Sequence, residues 1–451
     1  MRTGKNACAT KGWFMNDRRD FLKATGAALT TSIFTGNVRG ANDRIRVAFI
    51  GMGRMGTESM DNALQLANVE VPVVCDVYQP NLEKAVAISG RGRDGTPDAR
   101  SRAKGITDFR DILRDKSIDA VNISTPDHWH AYMTVEACKN GKDVYVEKPI
   151  CVAIDEGRKM VQAARKYDRV VQVGTWQRSG THFQKAVEIV SSGQLGKVTF
   201  VRTWNYGHQP KEGIGNPPDT QPPAGLDWNM WLGPAPARPF NKNRFGVAPK
   251  FYSHFRWFWD YAGGMMTDWG IHLLDIVQMA FQETEPAAVA GFGGKLYLQD
   301  NRETPDTLQV TYEYPNGMIA TYENRETNAQ SMFKHGYGIL FHGTEGTLFV
   351  DRAGYQLVPE KDSSLQAVEA RSSNDALLDH WQNFIDCIKT RKRPHSDIEI
   401  GHRSTTTAIL GNMAYRSKLR LDWDAQHETT AQPEARPLLK REYRKPWKLE
   451  V

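Results

Sequence analysis

The chain is 451 residues long, 40% hydrophobic and 24% charged, which allows two or three domains with sizeable cores and excludes a disordered or collagen-like polypeptide. Its formal charge of +6 resides at the ends: residues 1–40 carry +5, residues 436–451 carry +4, and everything between carries −3. A slightly acidic body argues against nucleic acid as a partner, and five scattered cysteines (Cys8, Cys75, Cys138, Cys151, Cys387) without a CxxC pair argue against a disulfide scaffold or a zinc site.

Residues 1–41 read as a leader. Asp17-Arg18-Arg19-Asp20-Phe21-Leu22-Lys23, a weakly apolar stretch from Ala24 to Phe34 and small residues up to Gly40 and Ala41 resemble a twin-arginine export signal, with Met15 as an alternative start. The apolar core is shorter than the roughly 18 residues of a membrane-spanning helix, so no stable membrane anchor is expected. The expected location is periplasmic or exported.

Residues 42–165 read as a dinucleotide-binding Rossmann domain. The apolar run Arg44 to Ile50 has strand character and leads into Gly51-Met52-Gly53-Arg54-Met55-Gly56 and a helix from Thr57 to Ala67. That order gives the glycine motif its meaning: a tight turn, a backbone that approaches a pyrophosphate, and a helix N-terminus that offers N–H groups to the anion. Asp76 ends a second apolar strand, Val69 to Val77, twenty residues beyond Gly56. A carboxylate there accepts from both ribose hydroxyls and repels a 2′-phosphate, which favours NAD over NADP. Further alternation follows: helix Pro80 to Ala87, helix Asp108 to Arg114, strand Ala120 to Ser124, helix Ala131 to Lys139 and strand Asp143 to Glu147. This predicts an α/β fold with a doubly wound parallel sheet, and places Ser124-Thr125-Pro126 and Glu147-Lys148-Pro149 at ligand-facing strand ends. His128 and His130 lack a third ligand nearby, and no metal is expected.

At this point the motifs become specific. Gly51 to Gly56, Ser124-Thr125-Pro126 with His130, Glu147-Lys148-Pro149 and Asp268-Trp269-Gly270-Ile271-His272 resemble the Gfo/Idh/MocA oxidoreductases over roughly residues 44–425. The likeness extends to an exported branch with Leu226-Asp227-Trp228, Trp231 to Pro234 and a Ser396 to His402 stretch. It implies an NAD cofactor held by Gly51, Met52, Gly53, Arg54, Met55, Gly56, Asp76, Ser124, Thr125, Pro126, His130, Glu147, Lys148 and Gln177. It also implies a lysine before an often cis proline, and a homodimer or homotetramer joined through an exposed sheet face.

Residues 166–425 read as an α+β domain with a large open, mainly antiparallel sheet, from longer Thr- and aromatic-rich strands such as Val198 to Trp204 and Leu308 to Tyr314. A helix is expected to start near Thr267 as N-cap, putting Asp268, His272 and Asp275 on one face. A dehydrogenase needs a base for the alcohol proton and a donor for the developing alkoxide. The catalytic set is Lys148, Asp268 and His272: His272 as base with Asp268 orienting its ring, Lys148 as donor, and the choice of proton carrier between Lys148 and His272 open. The aromatic run Phe251 to Tyr261, with Arg178, Trp204, Arg256, Trp259 and the helix-face Asp268, His272 and Asp275, points to a carbohydrate or polyol. Residues 426–451 form a basic arm packing on the protein or a neighbouring subunit. Three functions fit: an NAD-dependent dehydrogenase of a sugar, cyclitol or glycoside; a redox-neutral glycosidase or lyase that oxidises transiently with bound NAD; and a non-catalytic sugar sensor.

Overall fold

The computed structural model describes residues 44–91, 102–246, 253–282 and 284–451. The leader, Cys8 and part of the aromatic run, Phe251 and Tyr252, lie outside the described residues. Ile45–Ile50 is almost wholly buried and is the centre of a seven-stranded parallel sheet. From one edge the order is Lys104–Ile106, Val73–Cys75, Ile45–Ile50, Ala120–Ile123, Asp143–Val146 and Val171–Val173, with Val69–Glu70 paired beside Ile45. Strands buried on both faces need continuous apolar runs, which is how these segments read.

Helix α1 (Arg54–Leu64) starts within the glycine motif rather than after it, because Gly53 is its N-cap. Helix α2 (Asp127–Lys139) likewise starts four residues before the expected Ala131, directly after Pro126. A second, ten-stranded sheet contains Val198–Tyr206 at its middle. Its neighbours Tyr337–Gly343 and Ile319–Arg325 run antiparallel and parallel to it, respectively, and every other pairing in the sheet is antiparallel. Thr307–Glu313 alternates buried and part-exposed residues, as expected of a sheet with one covered face.

The expected helix at Thr267 is interrupted. Helix α3 (Gly264–Asp268) has Gly263 as its N-cap, and α4 (Gly270–Ala280) begins after Trp269. Two later helices tie the halves together. Trp381 of α5 (Ala376–Thr390) stacks on Tyr145 of the parallel sheet at 4.4 Å and 2°, and donates from Nε1 to Ser59 of α1 at 3.1 Å. Residues of the second half thus complete the core of the first, which a single boundary at 165/166 does not capture. Helix α6 (Ile398–Ser417) is buried along most of its length; its Ser404 Oγ donates to Asp275 and its Asn412 Nδ2 to the Gly263 carbonyl.

The boundary at 425/426 falls within the hairpin of Leu421–Asp424 with Thr429–Thr430, which extends the large sheet. The basic arm beyond it packs on its own chain: Arg441 donates to Glu156 Oε1 and to the His128 carbonyl at 2.7 Å each, and Trp447 packs edge-on to Trp129 at 4.8 Å. Cys75, Cys138, Cys151 and Cys387 are buried free thiols. Among the described residues, no helix is long and apolar enough to cross a membrane, and no group of three His, Cys, Asp or Glu side chains is arranged to hold a metal ion.

Candidate active site

A cleft of about 870 Å³ opens at the carboxyl ends of the parallel strands. One end is made by the glycine turn. Gly51 has φ +87°, and a Cβ on it would come within 2.6 Å of the Thr125 nitrogen; a Cβ on Gly56 would sit 1.9 Å from the Gly51 carbonyl oxygen. These two glycines let turn, strand end and helix close on one another. Gly53 differs, since a Cβ there would meet no protein atom within 4 Å although the residue lines the cleft. The α1 N-terminus has no side-chain cap and no acidic residue in its first turn, so the site is open and suited to an anion.

Asp76 also lines this end and is more occupied than the sequence suggests. It accepts from the Met52 nitrogen at 2.7 Å and the Tyr78 nitrogen at 2.8 Å, thereby shaping the glycine turn. Burial pushes its carboxyl up to about 6 against those hydrogen bonds. Asn81 Nδ2 also donates to Oδ2, at 3.4 Å, so a ribose hydroxyl would compete with Asn81 for this carboxylate.

The two strand-end turns are joined by His130, whose Nδ1 and Nε2 lie 2.7 Å from the Pro149 and Thr125 carbonyl oxygens. Burial pulls this imidazole down to about 4, and a neutral ring donates to only one of the two. The Lys148–Pro149 bond is cis. Glu147 is buried, lines the cleft and leaves Oε1 without a partner; burial pushes it up to about 7. An orphaned carboxyl oxygen, a glycine whose side-chain space is open and an uncapped helix N-terminus together fit a bound dinucleotide.

At the other end Lys148 Nζ donates to Asp268 Oδ1 at 3.0 Å, and Arg256 Nε lies 3.2 Å from Asp268 Oδ2. Burial alone would raise the Asp268 carboxyl, but Arg256 and Lys148 outweigh it and hold the group well below the usual carboxylate range. His272 is buried, lines the same end and has no partner on Nδ1. Burial, then the charges of Lys148 and Arg352, pull its pKa well below the usual value despite Asp268, so the ring is neutral near pH 7. The expected Asp268–His272 orienting contact is absent from the hydrogen bonds of these residues. The helix break at Trp269 separates them, and Asp268 is committed to the two cations. His272 is instead steadied through its backbone, whose carbonyl accepts from Gln177 Nε2 at 3.0 Å.

Several expected site residues lie elsewhere. Arg178 Nε pairs with both Asp275 oxygens at 2.9 Å, and both side chains are at most 3% exposed, forming a buried ion pair that does not line the cleft. Trp204 is wholly buried in the large sheet with Nε1 donating to the His335 carbonyl. Trp259 takes Arg416 over its ring and is not a lining residue. Gln177 supports His272 and Arg352 from behind. In their place the cleft gains Asp127, Trp176 and Arg352. Asp127 directly follows Ser124-Thr125-Pro126, and burial pushes it up to about 7 against Arg256 and Lys148. Trp176 follows the last parallel strand, so the strand-end rule would have found it. Arg352 follows Gly346–Val350 of the other sheet and has no local signal.

One cleft thus joins the end of a parallel nucleotide-type sheet to a lysine–carboxylate pair beside a second, large sheet. The chain belongs to the Gfo/Idh/MocA oxidoreductase family: residues 45–175 match its NAD-binding Rossmann fold and residues 179–449 its C-terminal alpha/beta domain. It is 25% identical over 362 residues to a scyllo-inositol 2-dehydrogenase (NAD(+)) of Bacillus subtilis, covering 78% of this chain and 88% of that protein. It is 28% identical over 205 residues to a glycosyl hydrolase family 109 protein of Shewanella, covering 40% of this chain and only 44% of the relative. Among solved structures, levoglucosan dehydrogenase in complex with NADH has a TM-score of 0.63 at 16% identity, covering 84% of this chain and 99% of that one. The WlbA dehydrogenase of Bordetella pertussis in complex with NADH and UDP-GlcNAcA has a TM-score of 0.62 at 18% identity, with 84% and 99% covered. These two likenesses concern the fold.

Proposed function

We propose that the protein oxidises a hydroxyl carbon of a sugar, cyclitol or glycoside, with NAD as acceptor. The observation that carries this is the Lys148–Asp268–Arg256 cluster beside a neutral His272, in the same cleft as the glycine turn. Bound NAD would supply the hydride acceptor for that carbon. Lys148 donates a hydrogen bond to the reacting oxygen, held in direction by Asp268. His272, uncharged and with an unpartnered Nδ1, takes the hydroxyl proton as the carbonyl forms. The turn at Gly51 and Gly53 and the α1 N-terminus would hold the pyrophosphate, with Gly56 keeping the helix close to the turn, and Asp76 would hold the ribose, which favours NAD over NADP. A dehydrogenase among the relatives supports the reaction type.

The test is mass spectrometry of the purified protein for its nucleotide and redox state, followed by a screen of sugars and cyclitols for NADH formation. NADH produced in step with substrate loss supports the reading, and a protein that neither binds nucleotide nor reduces it removes it. The glycosyl hydrolase family 109 likeness favours a second reading, in which oxidation is transient and hydride returns after elimination. Free NADH accumulating under turnover would eliminate that reading. Export through the twin-arginine route and assembly into a homodimer or homotetramer are part of the proposal. The first is supported by residues 17–41 and the second by Phe292 and Leu296, 77% and 71% exposed near the end of a sheet strand.

A further inference from the structure

Residues 225–234 join two strand ends that the parallel sheet keeps apart. The strand order places Val73–Cys75 on one side of Ile45–Ile50 and Ala120–Ile123 on the other, so the turns after those two strands flank the glycine turn. On the first side the Gly225 carbonyl accepts from the Gln79 nitrogen at 2.8 Å, and the Asp227 nitrogen donates to the Val77 carbonyl at 3.0 Å. On the second side the Trp231 carbonyl accepts from Trp129 Nε1 at 2.9 Å and lies 3.0 Å from His128 Nε2. Between these anchor points the short helix Trp228–Leu232 puts Met230 and Trp231 into the lining of the cleft, together with Gly51 to Met55 and Asp76. The segment therefore crosses the nucleotide end of the cleft as a strap.

At its second end the strap is closely fitted: Gly233 has φ +47°, and a Cβ on it would come within 2.0 Å of the Trp129 ring. The basic arm supplies most of the bonding there. Arg444 donates from Nε to the Gly233 carbonyl at 2.9 Å, from Nη1 to Asn229 Oδ1 at 2.7 Å and from Nη2 to the Asn229 carbonyl at 2.9 Å. Its backbone nitrogen donates to the Pro234 carbonyl at 3.0 Å. These groups lie in and just beyond a short helix, whose last carbonyls need partners from outside it. The arm itself is fixed to the nucleotide half. Arg441 and Tyr443 both donate to Glu156 Oε1, Arg441 also reaches the His128 carbonyl, and Trp447 packs on Trp129 and Tyr132 at 4.8 and 5.1 Å. Glu156 accepts from the Val152 and Ala153 nitrogens with its other oxygen, so the anchor is built into the start of helix Ile154–Lys166. One planar guanidinium thus fastens the strap to an arm rooted beside the parallel sheet.

We infer that Arg444 is a positioning residue for the nucleotide: it latches the strap, and release of the strap sets how fast NAD and NADH enter and leave. This rests on the oxidoreductase reading of the cleft. A nucleotide held between the glycine turn and the strap leaves when the strap lifts, which breaks the bonds of Arg444 and of the Trp231 carbonyl together. Loss of Arg444 lowers that barrier from both sides, because the empty site opens more often and the filled site opens sooner. Loss of a wall contact alone would speed departure and leave entry as it was.

The experiment is stopped-flow binding of NADH to the full chain, followed by energy transfer from tryptophan to NADH, with excess NAD as the chase for dissociation. Arg444→Ala should raise the dissociation rate constant by about tenfold or more, the scale expected when hydrogen bonds from a charged donor are lost, and the association rate constant by about threefold or more. Arg444→Lys, which keeps the charge without the fork, should fall between this variant and wild type. Asn229→Ala, at an exposed position, keeps Arg444 and removes one acceptor on the strap. It should raise both rate constants by a smaller factor, and it decides the matter if melting shows that Arg444→Ala does not fold. A rise in dissociation alone, or rates unmoved by these substitutions, overturns the inference while NADH binding and the oxidoreductase reading stand. A wild-type protein that binds no NADH removes both.

Discussion

The two ends of the cleft are built by opposite means. The nucleotide end is made mostly of backbone and of residues close in sequence, 51–56, 76 and 124–126, and glycine is needed there for close approach. The reacting end is made of side chains, Lys148, Arg256, Asp268, His272 and Arg352, delivered from both sheets and from the segments between them. One end is specified by what is left out of the chain and the other by charges held against one another. A substitution should therefore affect one end without the other. The largest effect is expected at the reacting end: Lys148→Ala and His272→Ala should each lower turnover by about 10² or more. NADH affinity, read by its fluorescence, should stay within about threefold for both. Near-normal turnover in either variant would remove that residue from the mechanism, and a parallel loss of NADH affinity would show that the ends are not separable.

Within the nucleotide end the glycines divide again. Gly53→Ala adds a methyl where no protein atom lies within 4 Å, so the fold should be intact while NADH affinity falls by about tenfold or more, the cost of a group in the space the ligand needs. Gly56→Ala adds the same methyl 1.9 Å from a carbonyl oxygen, which forces α1 off the turn. Its expected signature is a melting temperature lower by several degrees even without nucleotide, on the order of 1–3 kcal/mol of overpacking. If both variants melt normally and differ from wild type only in affinity, the distinction between a packing glycine and a ligand glycine fails.

The same contrast explains what could be read from the sequence. The glycine turn, Asp76 and the strand-end tripeptides were legible because each is a local arrangement with a fixed place on an α/β sheet. Lys148 was legible from its strand end, and Asp268 and His272 from helical spacing joined to a family resemblance, but the mutual geometry of the three was not. The straight helix that would put Asp268 beside His272 is broken at Trp269, so the carboxylate faces Lys148 and Arg256. Spacing on an unbroken helix also placed Asp275 at the site, whereas tertiary packing gives it to Arg178 and Ser404 in the interior. An arginine beside an aromatic residue reads equally well as a sugar contact or as a buried ion pair, and only burial separates Arg178 from Arg352. The return of α5 to complete the parallel-sheet core left no signal at residue 165, because Trp381 on an amphipathic helix does not say which sheet it will cover.

Glu147 and Lys148 are consecutive residues that serve the two ends, and the smallest predicted effect sharpens the comparison at that junction. Burial raises the Glu147 carboxyl from its ordinary value of 4.5 to about 7 in the folded protein. Below the lower value both folded and unfolded chains hold the proton, and nothing is lost. Between the two the unfolded chain releases its proton first, so the folded state becomes less stable as pH rises. Above about 7 the penalty is complete. Glu147→Gln removes the charge that has to be buried and keeps the shape. The nucleotide-free variant should melt about 2–4 °C above wild type at about pH 8, as expected for roughly 2–3 kcal/mol in a chain of this length, and within about 1 °C of it at about pH 4.5. Calorimetric melting at the two pH values checks this. A gain that is equal at both would mean that the raised pKa does not come from burial at the cleft wall, and Glu147 would then be a packing residue of the parallel sheet with no part in the division between the two ends.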